Sequence, residues 1–314
     1  MKAFYLISYG GSEGAVYGEL HDPVMGSDQL LIQVKAVSIN PLDFKIKRGD
    51  LKIIVGSKFP KILGSDFAGI VKEVGREIKN FKAGDRVYGA LPIFFGKPGA
   101  LSELINIQSK YARLIPEGMS FNEAASLPVA SLTALNGLRK CGITNGKHLL
   151  INGATGGVGH FAIQIAKAKG AVVTATCSSG NAELGKKLGA DEITGYKKDD
   201  LTKIEKKFDA ILDAYGKMKY EDVCRLLKRK GTYASTLFMP TSALSSIMVW
   251  LVFRKKLTSS NLRANPEDYE EIEKLFKEKK LKPLIENTFT LEKAAEAFEL
   301  AEKGKPRGKI IIRI

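Results

Sequence analysis

A glycine-rich segment near the middle of the chain carries the clearest chemical signal. Residues 152–159 read Asn-Gly-Ala-Thr-Gly-Gly-Val-Gly; they follow an apolar run over 148–151 and lead into an amphipathic run over 158–169. Glycines let the backbone approach a pyrophosphate closely, and the amide groups that begin the following helix point at that phosphate. A tight turn without a ligand is the alternative, but the order of strand, turn, helix and next strand favours a dinucleotide site and redox chemistry. The residues expected to hold the dinucleotide here, with alanine in the first glycine position of G-x-G-x-x-G, are Ala154, Thr155, Gly156, Gly157 and Val158.

The loop after the second strand of this unit bears on the choice of cofactor. NAD-binding proteins place an Asp or Glu about 20 residues after the glycines, where it binds the ribose 2′-hydroxyl. Residues 176–181 read Thr-Cys-Ser-Ser-Gly-Asn, so that Ser178, Ser179 and Asn181 offer neutral hydrogen-bonding groups instead. Such groups accept a 2′-phosphate without charge repulsion, although the loop itself contains no Arg or Lys. The loop therefore predicts a preference for NADPH over NADH.

The periodicity of the chain predicts the α/β scaffold that must position these residues. Residues 1–120 are strand-like and rich in turns. Ser120 and Glu123 form a capping-box pattern that begins a helix. Residues 121–262 alternate strands and helices, which implies a parallel sheet covered on both faces, and residues 263–314 end in a β-rich tail expected to return to the first domain. The strands expected in the alternating zone are 148–152, 171–176, 192–194, 208–213 and 231–235, and the helices are 158–169, 181–188 and 219–228.

Length, charge and cysteine content narrow the class of protein. A chain of 314 residues usually forms about two domains. Lys and Arg exceed Asp and Glu by 49 − 34 = 15, but they are scattered in short pairs, which favours a solvated surface over a nucleic-acid face. Cys141, Cys177 and Cys224 show no CxxC spacing, which indicates reduced thiols and a cytoplasmic compartment.

The chain shows no predicted signal peptide and no predicted membrane span. Residues 1–7 lack a small-residue cleavage site and are typical of a first strand. The longest apolar stretch, over 243–253, is shorter than the roughly 18 residues of a spanning helix. Residues 247–253, followed by three basic residues, have the composition of an interfacial anchor, but a helix that lines a pocket or a dimer interface is favoured.

Several further motifs accompany the glycine turn. They are Ser-Ile-Asn-Pro-Leu-Asp at 38–43 with Arg48-Gly49, Gly-Ser-Asp-Phe-Ala-Gly-Ile-Val at 64–71, Ala-Gly-Asp-Arg-Val-Tyr-Gly at 83–89, and Ala124-Ala125 with Leu127-Pro128 and Thr133-Ala134. Together they resemble the medium-chain dehydrogenase/reductase superfamily, in its zinc-free quinone oxidoreductase branch, and particularly its alkenal reductase and chloroplast-envelope quinone oxidoreductase-like members. The resemblance covers nearly the whole chain.

The resemblance implies a fold of two domains. It implies a GroES-like β-barrel domain, residues 1–120 completed by 263–314, and a Rossmann NADPH-binding domain with a doubly wound parallel sheet, residues 121–262. It also implies a cofactor cleft between the domains and a homodimer joined through the Rossmann sheet.

The resemblance also assigns site residues by motif match. Thr133 is expected near the nicotinamide, and Ser178 and Tyr196 near the adenosine phosphate end. The catalytic residues expected to line the cleft are Asn40, Asp43 and Asp66. For the two aspartates a structural role is the alternative, in which each caps a turn or pairs with Arg48.

The chain departs from the zinc alcohol dehydrogenases of the superfamily. They carry Gly-His-Glu where this chain has Gly-Ser-Asp at 64–66, a ligand cysteine near the position of Asn40, and a four-cysteine lobe. Here no cysteine precedes Cys141, and a catalytic zinc needs about three protein ligands, so we expect no metal. A second departure is Asn181, where several NADPH-using relatives have Lys.

These features predict a zinc-independent, NADPH-dependent oxidoreductase that transfers hydride to a quinone or an α,β-unsaturated carbonyl compound. The negative charge that develops on the carbonyl oxygen needs a donor, for which Asn40 and nearby backbone amides are candidates, with solvent as the proton source. His160 is expected to pack rather than to catalyse. The alternatives are an NADPH-binding regulatory or RNA-binding protein with weak or no reductase activity, and a membrane-peripheral protein.

Overall fold

The computed structural model describes residues 1–93, 97–195, 201, 203–237, 255–303 and 307–314. The strands are β1 Lys2–Leu6, β2 Ala15–Glu19, β3 Gln29–Ser38, β4 Lys61–Ile62, β5 Asp66–Val74, β6 Arg86–Ala90, β7 Leu104–Gln108, β8 Arg113–Leu114, β9 His148–Asn152, β10 Val172–Cys177, β11 Glu192–Gly195, β12 Phe208–Asp213, β13 Leu227–Ser235, β14 Lys256–Ser259, β15 Ile285–Thr290 and β16 Lys309–Arg313. The α-helices are α1 Pro41–Arg48, α2 Lys52–Val55, α3 Phe121–Ser126, α4 Pro128–Lys140, α5 Gly159–Ala168, α6 Ala182–Lys187, α7 Tyr220–Leu226, α8 Pro266–Lys277 and α9 Ala294–Lys303. Short 3-10 helices cover Ser12–Gly14, Ser109–Tyr111, Ser179–Asn181 and Leu291–Lys293.

The chain forms two compact units, and their boundaries differ from those that the sequence suggests. The first unit is Met1–Val129 with Ile285–Ile314, and the second is Ala130–Leu284. Helix α3 falls in the first unit because it packs on strands β3 and β5. Helix α8 falls in the second unit, where Asp268 accepts a hydrogen bond from Arg139 and Glu271 accepts one from Lys169, each at 2.5 Å.

The first unit is built around a seven-stranded sheet in the order β15-β16-β3-β5-β6-β8, with β7 also paired to β3. A three-stranded sheet, β2-β1-β4, accompanies it. Strand β16 pairs antiparallel with β3, so the C-terminal tail is part of the main sheet of the first unit. Apolar residues of these strands, among them Phe4, Ile32 and Phe67, fill the core together with Phe298 of helix α9.

The second unit contains a six-stranded parallel sheet in the order β11-β10-β9-β12-β13-β14. Counted within the unit, this is the order 3-2-1-4-5-6 of a dinucleotide-binding sheet, so the predicted parallel sheet is confirmed. Strand β13 begins four residues earlier than predicted, because a break in its register with β12 takes up residues 228–231, with Lys230 at φ 66°. In such sheets the ligand crevice lies at the carboxyl ends of the strands where the order reverses, which is between β9 and β12.

Two of the predicted segments lie outside the described residues. They are the apolar run 247–253 and the 196–200 segment that contains Tyr196. Among the residues that the structure describes, no helix combines the length and the apolarity needed to cross a membrane.

Candidate functional site

The glycine turn links β9 to α5 and is tight at both ends. Gly153 has a φ of 76°, in the region that favours glycine, and its carbonyl accepts a hydrogen bond from the Gly156 amide at 3.2 Å. A Cβ atom at Gly159 would lie 2.2 Å from the same carbonyl oxygen, so that only glycine fits there. A Cβ atom at Gly156 would meet only that oxygen, at an ordinary 3.4 Å. The turn is therefore closed at its ends and open at Gly156.

Helix α5 begins directly after the open part of the turn. No side chain caps its first residues, and its first turn carries no acidic residue. The first turn of this ten-residue helix presents backbone amides that no side chain caps, together with the positive end of the helix dipole. Both features favour the binding of an anion. Of the predicted cofactor residues, Ala154 and Thr155 are buried, whereas Gly157 and Val158 are half-buried at the helix start.

The loop after β10 is joined to the glycine turn by a side-chain hydrogen bond. Asn181 Nδ2 donates to Thr155 Oγ1 at 3.2 Å, while Ser178 is half-buried and Ser179 is exposed. Two regions predicted separately to bind the cofactor therefore meet. Thr133, on α4, is buried, and its carbonyl accepts a hydrogen bond from Ser260 Oγ at 2.7 Å.

A buried carboxylate at the end of β12 organises the same edge of the sheet, and it was not among the predicted site residues. Asp213 Oδ1 accepts from Asn152 Nδ2 and from the Gly216 amide, both at 2.7 Å. Its Oδ2 accepts from the Met218 amide at 2.8 Å and from Tyr233 Oη at 2.9 Å. Burial and the neighbouring Asp213 charge raise the pKa of Tyr233. Its phenol therefore stays protonated and can donate to Asp213.

The sequence does contain a signal for this network. Asn152 and Asp213 are the last residues of two buried strands, and β9 and β12 pair in parallel so that these two residues are partners in the register. A polar side chain that ends an apolar strand is therefore a candidate for the crevice edge. Thr176 Oγ1, at the matching position of β10, donates to Asn152 Oδ1 at 2.7 Å.

The three predicted catalytic residues lie together in the first unit, and all are buried. Asp43 Oδ2 accepts from the Asn40 amide at 2.8 Å and closes the capping box of α1, and its Oδ1 accepts from the Gly64 amide at 3.2 Å. The turn-capping alternative for Asp43 is thus present. In the described part of the chain Arg48 pairs with Asp50 and Glu302, so the alternative pairing with Asp43 or Asp66 is not formed.

The side-chain amide of Asn40 is fully engaged within this cluster. Its Nδ2 donates to Asp66 Oδ2 at 2.8 Å and lies 3.1 Å from Ser65 Oγ and 3.3 Å from the Ser38 carbonyl. Ser38 Oγ also donates to Asp66 Oδ2, at 2.7 Å. Two amide hydrogens thus face three acceptors, so donation by Asn40 to a substrate oxygen would require one of these bonds to open.

Burial dominates the electrostatics of the two aspartates. It raises the pKa of Asp43 from 3.8 to about 7, with the Asp66 charge adding to the rise and the Asn40 and Gly64 amides opposing it. Burial also raises the pKa of Asp66, against the opposing effects of Lys309, Asn40 and Ser38. The cluster therefore contains a carboxyl group that titrates near neutral pH.

The raised pKa of Asp43 predicts a pH-dependent stability. The folded protein binds this proton more tightly than the unfolded chain, so the contribution of Asp43 to the free energy of unfolding is largest below about pH 4 and falls as the pH rises towards about 7. Between about pH 5 and about pH 8 we expect the free energy of unfolding of wild type to fall by about 3 kcal/mol relative to that of Asp43→Asn, which lacks the titration. Urea unfolding of both proteins at the two pH values measures this difference, and parallel pH profiles would contradict it.

His160 packs inside the second unit, as expected. Its Nε2 accepts a hydrogen bond from the Leu284 amide at 3.2 Å, and its Nδ1 lies 3.0 Å from the Gly156 carbonyl. An acceptor at Nε2 and a carbonyl partner at Nδ1 place the proton on Nδ1. The imidazole is buried and links α5 and the glycine turn to residue 284.

Within the described residues, no three His, Cys, Asp or Glu side chains form a group that could hold a metal ion. Ser65 and Asp66 stand at the positions where we expect His and Glu in zinc alcohol dehydrogenases. Both side chains are hydrogen-bonded to Asn40. The expected absence of zinc stays a prediction.

Comparison with known proteins identifies the family. Residues 26–117 match the alcohol dehydrogenase GroES-like domain, and residues 188–312 match the family described as zinc-binding dehydrogenase. The chain is 34% identical to the chloroplast envelope quinone oxidoreductase homolog of Arabidopsis thaliana, over 99% of this chain and 98% of that protein. It is also 34% identical to the 2-methylene-furan-3-one reductase of Solanum lycopersicum, over 99% of this chain and 79% of that protein.

A solved structure agrees with the sequence relatives. The quinone oxidoreductase from Coxiella burnetii has a TM-score of 0.90 and 32% identity, over 100% of this chain and 99% of that one. The predicted GroES-like domain and Rossmann-like parallel sheet are thereby confirmed. The chain is an oxidoreductase that belongs to the medium-chain dehydrogenase/reductase superfamily, in its quinone oxidoreductase-like branch.

Proposed function

We propose that this protein uses NADPH to reduce quinones or α,β-unsaturated carbonyl compounds, without zinc. The observation that carries the proposal is the glycine turn, which is open at Gly156 and leads into an uncapped helix at the switch point of the sheet. The names of two relatives support the substrate class, since one is a quinone oxidoreductase homolog and the other reduces a 2-methylene-furan-3-one, which is an enone.

The predicted cofactor residues divide the binding of the dinucleotide between them. The segment Ala154–Val158 and the start of α5 would hold the pyrophosphate, and Ser178, Ser179 and Asn181 the adenosine ribose and its phosphate. Thr133 and Tyr196 are proposed at the nicotinamide and the adenosine phosphate respectively. When bound, the reduced nicotinamide supplies a hydride, and the protein contributes position and exclusion of side reactions.

The cluster of Asn40, Asp43 and Asp66 is proposed to act by position. Its hydrogen bonds join α1, the Gly64–Asp66 segment and the end of β3 into one rigid group. Both carboxylates are fully buried and each accepts a hydrogen bond from a backbone amide, that of Gly64 for Asp43 and that of Val129 for Asp66, so we assign neither of them a proton transfer to substrate. The proton that completes the reduction is therefore assigned to solvent.

Turnover with a panel of substrates tests the proposed activity. Purified protein is incubated with NADPH and with simple quinones, alkenals and cyclic enones, and the loss of reduced-nicotinamide absorbance is followed. We expect turnover in at least one of the two classes without added zinc, and no loss of activity after dialysis against a chelator. No turnover in either class would contradict the proposal.

A preference for NADPH is the second expectation. The loop at Ser178 and Ser179 lacks the acid that binds a ribose 2′-hydroxyl, so NADPH is expected to bind more tightly than NADH. Ser178→Asp introduces that acid beside the proposed position of the 2′-phosphate. We expect it to raise the dissociation constant of NADPH roughly tenfold or more, so that NADH binds more tightly than NADPH. Dissociation constants of both cofactors for both proteins measure this, and equal or tighter binding of NADH to wild type would refute it.

The cytoplasmic compartment and the homodimer stay predictions.

A further inference from the structure

Lys309 is a buried lysine that neither the glycine turn nor the proposed cofactor residues explain. It is the first residue of β16 and is 3% exposed. Its Nζ donates to Asn40 Oδ1 at 2.6 Å and lies 3.6 Å from Asp66 Oδ2. A lysine is almost never fully buried unless its charge is paired, so this contact is a specific feature of the fold.

The register of the central sheet brings the cluster together. Strand β16 runs antiparallel to β3 with Ile311 opposite Ser38, so the same register carried two residues further brings Lys309 level with Asn40. On the other side of β3, Ala36 lies opposite Ala68, which brings Ser38 level with Asp66. At the end of β3, the Lys309 ammonium of β16 therefore lies on one side and the Asp66 carboxylate of β5 lies on the other.

The charges in this cluster depend on one another. Burial lowers the pKa of Lys309, and the charges of Asp66 and Asp43 oppose that change. Lys309 in turn opposes the rise in the pKa of both aspartates. Without the ammonium, Asn40 Oδ1 would lose its donor and Asp66 would hold a buried charge without a cation, which favours uptake of a proton.

Asp66 transmits this state to a helix. Its Oδ1 accepts a hydrogen bond from the Val129 amide at 2.9 Å, at the second residue of α4. A carboxylate at a helix start satisfies one of the free amides and interacts favourably with the helix dipole. A protonated carboxyl group is a weaker acceptor, so the start of α4 depends on Asp66 staying ionised. Thr133, the proposed nicotinamide contact, lies four residues further along α4.

We propose that Lys309 is a positioning residue for hydride transfer. Its ammonium holds the side-chain amide of Asn40 and the ionised Asp66 carboxylate in place. Through Asp66 it fixes the start of α4, the helix that carries Thr133. This inference rests on the proposed function for its effect on turnover. Its effect on the helix start does not depend on that function.

The experiment compares Lys309→Met with two other variants. Lys309→Met keeps the length and removes the charge, whereas Lys309→Arg keeps the charge. Lys61→Met is the matched control, because Lys61 is also a buried lysine of the first unit and is 6% exposed. Its Nζ donates to the Val55 carbonyl at 3.1 Å, and Val55 is not part of the cluster.

Amide hydrogen exchange of the segment 128–133 is the first readout. Exchange in Lys309→Met is expected to rise about tenfold or more over wild type, while the segment 104–108 of β7 changes by less than about threefold. Lys309→Arg and Lys61→Met should leave 128–133 close to wild type. An equal rise in both segments would show general destabilisation, and no rise at 128–133 would show that α4 does not depend on Lys309; either result overturns the proposal.

Turnover is the second readout, at a temperature where all variants are folded by circular dichroism. We expect kcat of Lys309→Met to fall about tenfold or more, because small shifts of a positioned group strongly lower the rate, while the dissociation constant of NADPH changes by less than about threefold. Lys309→Arg should recover most of kcat. A Lys309→Met enzyme with wild-type kcat, or a Lys309→Arg enzyme as slow as Lys309→Met, would refute the positioning role. If wild type itself shows no turnover, the proposed function fails, and the exchange experiment still decides the role of Lys309 at α4.

Discussion

Gly156→Ala is expected to fold like wild type and to lose most of its affinity for NADPH. The added methyl group would meet only the Gly153 carbonyl oxygen, at 3.4 Å, so the turn can keep its shape. The second glycine of the turn is the point where the backbone approaches the pyrophosphate, and a methyl group there occupies the ligand's space. We expect the dissociation constant of NADPH to rise about 30-fold, which corresponds to roughly 2 kcal/mol.

Two further glycine variants make this result specific. Gly159→Ala would place its methyl group 2.2 Å from a backbone oxygen and should lower the melting temperature together with cofactor affinity. Gly11→Ala, in the first unit, adds a methyl group in open space and should change neither. Fluorescence titration with NADPH and thermal unfolding without ligand separate the two effects. A Gly156→Ala protein with wild-type affinity would remove the glycine turn as the cofactor site.

Asp213→Ala is expected to lower the free energy of unfolding by about 3 kcal/mol or more, because it leaves several buried donors without an acceptor. The carboxylate accepts from Asn152, Tyr233 and the amides of Gly216 and Met218, and it is fully buried. The variant should also weaken NADPH binding. The loop that Asp213 holds carries Tyr215, whose Cβ would lie 3.0 Å from a Cβ placed on Gly153 of the glycine turn.

Tyr233→Phe is the comparison for this second variant. It removes one donor and leaves the other three bonds of Asp213 intact, so the expected loss is only about 1 kcal/mol. Urea unfolding monitored by circular dichroism gives both values. A loss in Asp213→Ala no larger than that in Tyr233→Phe would mean that the carboxylate does not organise the edge of the sheet.

The glycine turn illustrates how far local pattern reaches. Its position after a strand, its opening of α5 and the alternation of strands and helices that follows are encoded within short segments, because glycine conformations and the period of apolar residues are local properties. The strands predicted for the second unit are therefore present, and β9 and β12 have the predicted bounds. Features that depend on distant partners differ from the prediction. Strand β13 begins earlier than predicted, and helix α8 belongs to the second unit and not to the first.

The buried clusters show what local pattern leaves out. Asn40, Asp43 and Asp66 could be selected from their motifs, but their mutual bonds and the turn-capping role of Asp43 required the structure. Lys309 gave no local signal, since it stands in an ordinary β-rich tail 269 positions from Asn40.

From sequence alone came the family, the α/β class, the glycine turn and the neutral loop at Ser178, since each depends on residue type and short-range spacing. Tertiary structure alone decided that Asp213 joins the ends of neighbouring strands and that Lys309 neutralises the cluster at the end of β3. Those contacts depend on strand order and register, which are set by the packing of the whole sheet.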